Sequence, residues 1–147
     1  MQDMRSETTT AFGISATLSG TTPSKGNIVD VTDYAAATFL FQTGAITDAG
    51  AAAGFSVEIQ ESDDTADSNF TAVADGDLVG AESDLDVTDD GTDSVAVGSL
   101  GYIGTKKYIR AVVTGTSGTD GIVNGVWALQ CPRYAPKGDA AANVAAT

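Results

Sequence analysis

The chain has 147 residues, a length that suits one domain able to bury roughly 68–70% of the surface its unfolded form exposes, so folding requires neither disulfides nor a metal. Its single cysteine, Cys131, excludes an internal disulfide and a Cys-x-x-Cys site, and the lack of histidine excludes Ser-His-Asp and Cys-His catalysis together with the commonest metal ligand. Twenty acidic against seven basic side chains give a net charge of −13, which argues against a nucleic-acid partner or an anionic membrane surface and for a basic or cation-screened partner.

Residues 1–10, MQDMRSETTT, are polar and lack the apolar core of a secretory signal, so they are read as an N-terminal arm carrying Arg5. No apolar run approaches the ~20 residues of a membrane-spanning helix. The body of the chain is rich in Thr, Val, Ala, Gly and Asp and poor in Leu, Glu and Lys, a balance that favours strands and tight turns. Short strands are expected at residues 11–18 and 28–31. Residues 37–42, Ala-Thr-Phe-Leu-Phe-Gln, form a more continuously apolar strand suited to a central position. The alanine-rich residues 49–54 are too short and too glycine-flanked for a helix. In residues 55–61, Phe55, Val57 and Ile59 alternate with Ser56, Glu58 and Gln60, the period of a half-buried strand. This strand is expected to pair antiparallel with residues 37–42 across a long connection.

Weaker strands are expected at residues 70–73, 85–87 and 94–97. The run Gly98-x-x-Gly101-x-x-Gly104 followed by Thr105-Lys106-Lys107 departs from the GxxxxGK[ST] order of a phosphate loop and reads as a turn. Residues 107–114 form a strand with Ile109, Ala111 and Val113 on one face and Tyr108, Arg110 and Val112 on the other. A glycine-rich turn at 115–121 would return the chain through residues 122–131 as a hairpin partner that Pro132 stops. Residues 135–147 lack bulk and are read as a C-terminal arm. The expected fold is therefore all-β: one domain over residues 11–134, an antiparallel sandwich or barrel of about seven to nine short strands, with arms at residues 1–10 and 135–147.

Candidate chemistry is sparse. Twelve of the twenty acids lie between Glu61 and Asp93, a span without Lys or Arg. Clustered carboxylates suit calcium, but an EF-hand register with Gly91 at the sixth position puts Val97 where the bidentate Glu belongs. The stretch is read as exposed turns whose Asp, Ser and Gly bond their own backbone, with a looser calcium site as the alternative. Cys131 has no histidine to activate it and reads as a packed thiol. A paired-carboxylate glycosidase lacks an aromatic sugar platform. No catalytic residue, cofactor or metal is assigned. The bases are more suggestive: Lys106, Lys107 and Arg110 lie near one strand, and Arg133 and Lys137 follow the next. The hairpin would gather them into one basic region opposite an acidic one, so Arg5, Lys106, Lys107, Arg110, Arg133 and Lys137 are the candidate partner contacts. Ordinary surface charge, with Arg110 lying along the sheet, is the alternative.

Several segments, taken in order, carry a resemblance: Asp33-Tyr-Ala-Ala-Ala-Thr-Phe-Leu-Phe-Gln-Thr-Gly-Ala-Ile-Thr-Asp, Phe55-Ser-Val-Glu-Ile-Gln-Glu-Ser-Asp-Asp, Phe70-Thr-Ala-Val-Ala-Asp-Gly-Asp-Leu-Val-Gly, Gly101-Tyr-Ile-Gly-Thr-Lys-Lys-Tyr-Ile-Arg-Ala-Val-Val-Thr and Cys131-Pro-Arg-Tyr-Ala-Pro. Over residues 28–137 the chain resembles a group of small phage and prophage proteins encoded in head-gene modules near the major capsid protein gene. It departs from them at Gln130-Cys131, where related sequences often carry Gly-His before Pro-Arg. The resemblance implies a non-enzymatic virion protein, a capsid decoration or cement protein that binds the major capsid protein as a homo-oligomer, with a trimer as the economical form. A head–tail connector, tail-terminator or tail-tube subunit is the alternative. A calcium-dependent carbohydrate-binding module is the third reading. The resemblance transfers no site residues.

Overall fold

A computed structural model describes residues 7–47, 55–86, 97–116, 120–133 and 143–144. The chain is an antiparallel β-sandwich of two sheets that do not close into a barrel. The strands are β1 (Thr8–Ser19), β2 (Ser24–Lys25), β3 (Ile28–Asp30), β4 (Tyr34–Thr47), β5 (Phe55–Ser62), β6 (Thr71–Ala72), β7 (Leu78–Val79), β8 (Val97–Tyr102), β9 (Tyr108–Gly115), β10 (Asp120–Pro132) and β11 (Asn143–Val144), with 3-10 turns at Asp67–Asn69, Asp75–Asp77 and Glu82–Asp84. Among the described residues, seven strands have three or more residues, in line with the expected count. The first sheet runs β1-β10-β4-β8-β7, with β4 central; the second runs β11-β3-β9-β5-β6, with β2 also on β9.

Alternation along the strands sorts the side chains. Ala11, Phe39, Leu100 and Trp127 form one inward row of the first sheet, opposite Val57, Ile59, Ile109, Ala111 and Val113 of the second. Aromatic contacts bind strands within the first sheet and bridge it to the second. The Phe39 ring lies 4.9 Å from that of Trp127, and Phe41 on β4 meets Phe55 on β5 edge-on at 5.9 Å. Such pairs add to the area they bury. A bulge in β1 at Gly13 frees a carbonyl that accepts the Asn27 N–H at 2.7 Å, while the Gly26 N–H bonds the Ala111 carbonyl at 2.8 Å. A Cβ at Gly26 would lie 2.6 Å from the Gly13 oxygen, so this crossover between layers needs glycine there.

Two expected pairings are corrected. Residues 37–42 and 55–61 are not neighbours, because β4 and β5 lie in opposite sheets. Likewise β9 and β10 make no hairpin: β10 lies between β1 and β4, and β9 between β3 and β5. In both cases each strand carries one apolar face, and stacking the two across the core buries both faces against each other. The glycine run at 98–104 is not all turn. Val97–Tyr102 is strand β8, and its glycines admit close neighbours, since a Cβ on Gly98 would lie 2.3 Å from Leu85 Cδ2 and one on Gly101 3.0 Å from Val79 Cβ. Leu85 follows a 3-10 turn rather than opening a strand. β1 begins at Thr8, three residues inside the expected arm. Asn143–Val144 of the expected C-terminal arm pair with Val29 and Ile28.

Candidate assembly surfaces

Lys106, Lys107 and Arg133 converge, although no hairpin joins their strands. The segment leading into β9 and the end of β10 meet at one end of the sandwich, where a cleft of about 210 Å³ is lined by Val31, Thr32, Tyr34, Tyr102 and the three bases, among others. Backbone bonds fix its walls: Val31 N–H to the Lys107 carbonyl at 2.8 Å, Tyr34 N–H to the Val31 carbonyl at 3.0 Å, and Arg133 N–H to the Asp33 carbonyl at 2.8 Å. Cys131 is exposed rather than packed as expected, because its φ of 53°, a left-handed conformation, redirects β10 just before Pro132 and Arg133. The floor is Tyr102, whose hydroxyl donates to Glu61 at 2.7 Å and accepts the Lys106 N–H at 3.1 Å. Burial and the Glu61 hydrogen bond push this phenol well above its ordinary range, so it stays protonated. Gly104 lets the loop pass over the ring, because a Cβ there would lie 2.6 Å from it.

The bases differ in what holds them. The Lys106 ammonium pairs with Asp63 at 2.6 Å, and that contact lowers the carboxyl and raises the amine. Lys107 and Arg133 are exposed, and no carboxylate lies within ion-pair distance of either among the described residues. Arg110 is not a surface cation: it is 4% exposed. Its guanidinium bonds Gln60 at 2.9 Å, pairs with Asp67 and sits 4.2 Å from the centroid of Phe70. Lys25 reaches the same Asp67 at 2.6 Å. The hydrogen bonds from Lys25 and Arg110 hold the Asp67 carboxyl below its usual range. The expectation that Arg110 contacts a partner is therefore corrected, because residues 67–70 fold over the outer face of β9 and enclose it. Arg5 and Lys137 lie outside the described residues.

The acidic stretch has structural work. Asp64 accepts the Ala66 N–H at 2.8 Å, and Asp84 accepts that of Ala81 at 3.1 Å, as turn residues do. More distinctive are Glu82, which accepts the Ile59 N–H at 2.6 Å, and Asp86, which accepts that of Val57 at 3.0 Å. These carboxylates satisfy donors along the rim of β5 beyond its short pairing with β6. Burial raises the Glu82 carboxyl above its ordinary range, against the lowering effect of the Ile59 bond. Among the described residues no group of three His, Cys, Asp or Glu side chains could hold a metal ion. Asp75 and Asp77 lie in a 3-10 turn, and Asp89, Asp90 and Asp93 lie outside the described residues.

A second surface escaped the sequence reading. Across β1, β4, β8 and β10 the only charged side chain is Asp120, at the start of β10. The outer face of that sheet exposes Phe12, Leu40, Ile122 and Val126, each 40–51% accessible. The other described outward positions of these four strands, up to Gln130, are Thr, Ser, Ala, Asn, Gln and Gly apart from Asp120, and the edge strand β7 adds the exposed Val79 beside Gly101. The signal was present in the sequence, since residues 8–24, 34–47 and 121–132 contain no charge at all. No family model matches the chain, and no curated protein matches it.

Proposed function

We propose that the chain is a virion structural protein that decorates the outside of a tailed-phage head, binding the major capsid protein as a homo-oligomer and stabilising contacts between its subunits. The reading joins the resemblance to head-module proteins with one geometric observation: Lys106, Lys107 and Arg133 gather around a single cleft at one end of an otherwise acidic sandwich. A −13 chain with one basic end docks in one orientation. Electrostatic polarity of this kind steers encounter and fixes register more than it adds affinity. A rigid block bridging capsomers adds interface across seams strained by packaged DNA, typically ~1,200–2,000 Å² for a specific contact. The test is quantitative protein analysis of purified virions, with and without the gene. Many copies spread over the shell and a loss of heat stability without them are expected; a single ring at one vertex or a stacked tube along the tail would replace this reading with the connector or tail-tube alternative. The double variant Lys107→Glu, Arg133→Glu is expected to fold and to lose occupancy on the head.

A further inference from the structure

The geometry points to the outer face of the β1-β10-β4-β8 sheet as a homotypic interface, on which a second copy of this chain packs face to face about a two-fold axis. Three observations converge on that occupant. The first is charge. Each copy carries −13, so two copies repel wherever their acidic surfaces approach. An isologous contact sets a patch against itself, and any charge near its centre would oppose its own image. The broad face of this sheet is free of such charge.

The second is relief. Strand register places Phe12, Val126 and Leu40 in one transverse row, 44%, 40% and 49% exposed. The next row along the strands consists of Ala128, Thr38 and Gly101, on the same strands or their neighbour. A ridge of large apolar side chains thus runs beside a trough of small ones, which Val79 of β7 closes beyond Gly101. A two-fold axis lying in the interface, parallel to the rows and midway between them, sets each ridge into the other copy's trough. Val126 then meets Ala128 and Leu40 meets Thr38, in both directions at once. Face-to-face sheets already prefer strand directions aligned within about 30°.

The third is area. With strands about 4.8 Å apart and about 3.3 Å per residue, nine residues each of β1, β10 and β4 and the six of β8 cover about 520 Å² in plan. Two such faces bury about 1,000 Å², the area a specific interface needs to clear.

This contact stands apart from the virion assignment, since it is measured on the isolated chain. Sedimentation equilibrium of the full-length protein should give twice the chain mass. The association should tighten as salt rises from about 0.01 M to about 0.15 M, because the screening length contracts from about 30 to about 8 Å and the repulsion between copies fades. Leu40→Lys and Val126→Lys, each confirmed folded by circular dichroism, should each weaken association at least about 100-fold, since each buries an unpaired charge twice across the two-fold axis. Ile103→Lys, at an equally exposed apolar residue outside these strands, should leave it unchanged. A monomer at every salt concentration, a trimer untouched by Leu40→Lys, or a dimer that weakens with added salt would each overturn the inference. The salt series on the wild-type chain decides the matter even if one lysine variant fails to fold.

Discussion

Gly125 sits mid-strand in β10, where a residue with a side chain would ordinarily be favoured, and Phe39 is the reason. A Cβ added there would lie 2.3 Å from Phe39 Cζ, 2.4 Å from Cε2 and 3.2 Å from Ile14 Cγ2, whereas carbon atoms rest at about 3.5–4.0 Å. Gly125→Ala therefore asks the ring to retreat by more than about 1 Å. It has nowhere to go: Phe39 is fully buried, with Trp127 at 4.9 Å and Phe41 at 5.8 Å between ring centroids. Overpacking of this kind costs about 1–3 kcal/mol, and replacing a strand glycine recovers about 0.5–1 kcal/mol. The expected net loss is about 1–2 kcal/mol, read as a lower urea midpoint at unchanged m-value, with Tm falling about 2–4 °C for each kcal/mol. Shrinking the ring should rescue the variant, so Phe39→Leu combined with Gly125→Ala should show a favourable coupling of at least about 1 kcal/mol in a double-mutant cycle. A neutral Gly125→Ala, or additivity of the two changes within about 0.5 kcal/mol, would refute this account of the core.

Arg110→Ala removes the bond to Gln60, the pair with Asp67 and the contact with Phe70, and is expected to cost about 2–3 kcal/mol in chemical denaturation. Arg110→Met, which keeps the volume without the charge, should fall within about 1 kcal/mol of wild type. Glu82 has a folded pKa above its unfolded value, so the native state binds the extra proton and stability should decline as pH rises through the window just above 4.5. Glu82→Gln, which keeps an acceptor for the Ile59 N–H, should abolish that slope, while Glu82→Ala should cost about 1 kcal/mol at neutral pH by stranding the donor. Asp63 and Asp67 are shifted the other way, so their stabilisation holds above 3.8 and is lost as pH falls through their lowered folded values; thermal melts across this range should show both effects. Cys131→Gly should relieve the left-handed backbone and raise stability by up to about 1–2 kcal/mol, with the cleft unchanged.

Alternation in residues 55–61 and 107–114 tells correctly which side chains share a face, because a period of two is a property of the strand alone; in β9 both faces are buried, and alternation does not say so. Which strand lies beside which is not local information. The same alternation serves a hairpin or two strands in facing sheets, and the connections allow both. The basic cluster shows the difference: Lys106, Lys107 and Arg133 do meet, but at the shared end of two layers rather than along a hairpin. Arg110 shares a face with Tyr108 and Val112, as alternation predicts, but nothing in residues 107–114 says that residues 67–70 will cover that face. Glu82 and Asp86 read as turn acids because the donors they satisfy, Ile59 and Val57, lie more than twenty residues away in sequence. The uncharged runs were legible and informative. Their meaning emerged only when register placed them side by side on one sheet.

The carboxylates along the rim of β5 have a consequence for how this molecule can multiply. A bare strand border invites another strand, and repetition of that event makes fibres. Here one border of the second sheet holds Glu82 and Asp86 against its amides, and β11 lies along the other. The crossover at Gly13 and Asn27 ties down part of the border of β1. Growth sideways into an endless ribbon is discouraged, and the broad surfaces and the ends are left as the places where neighbours can be counted and limited.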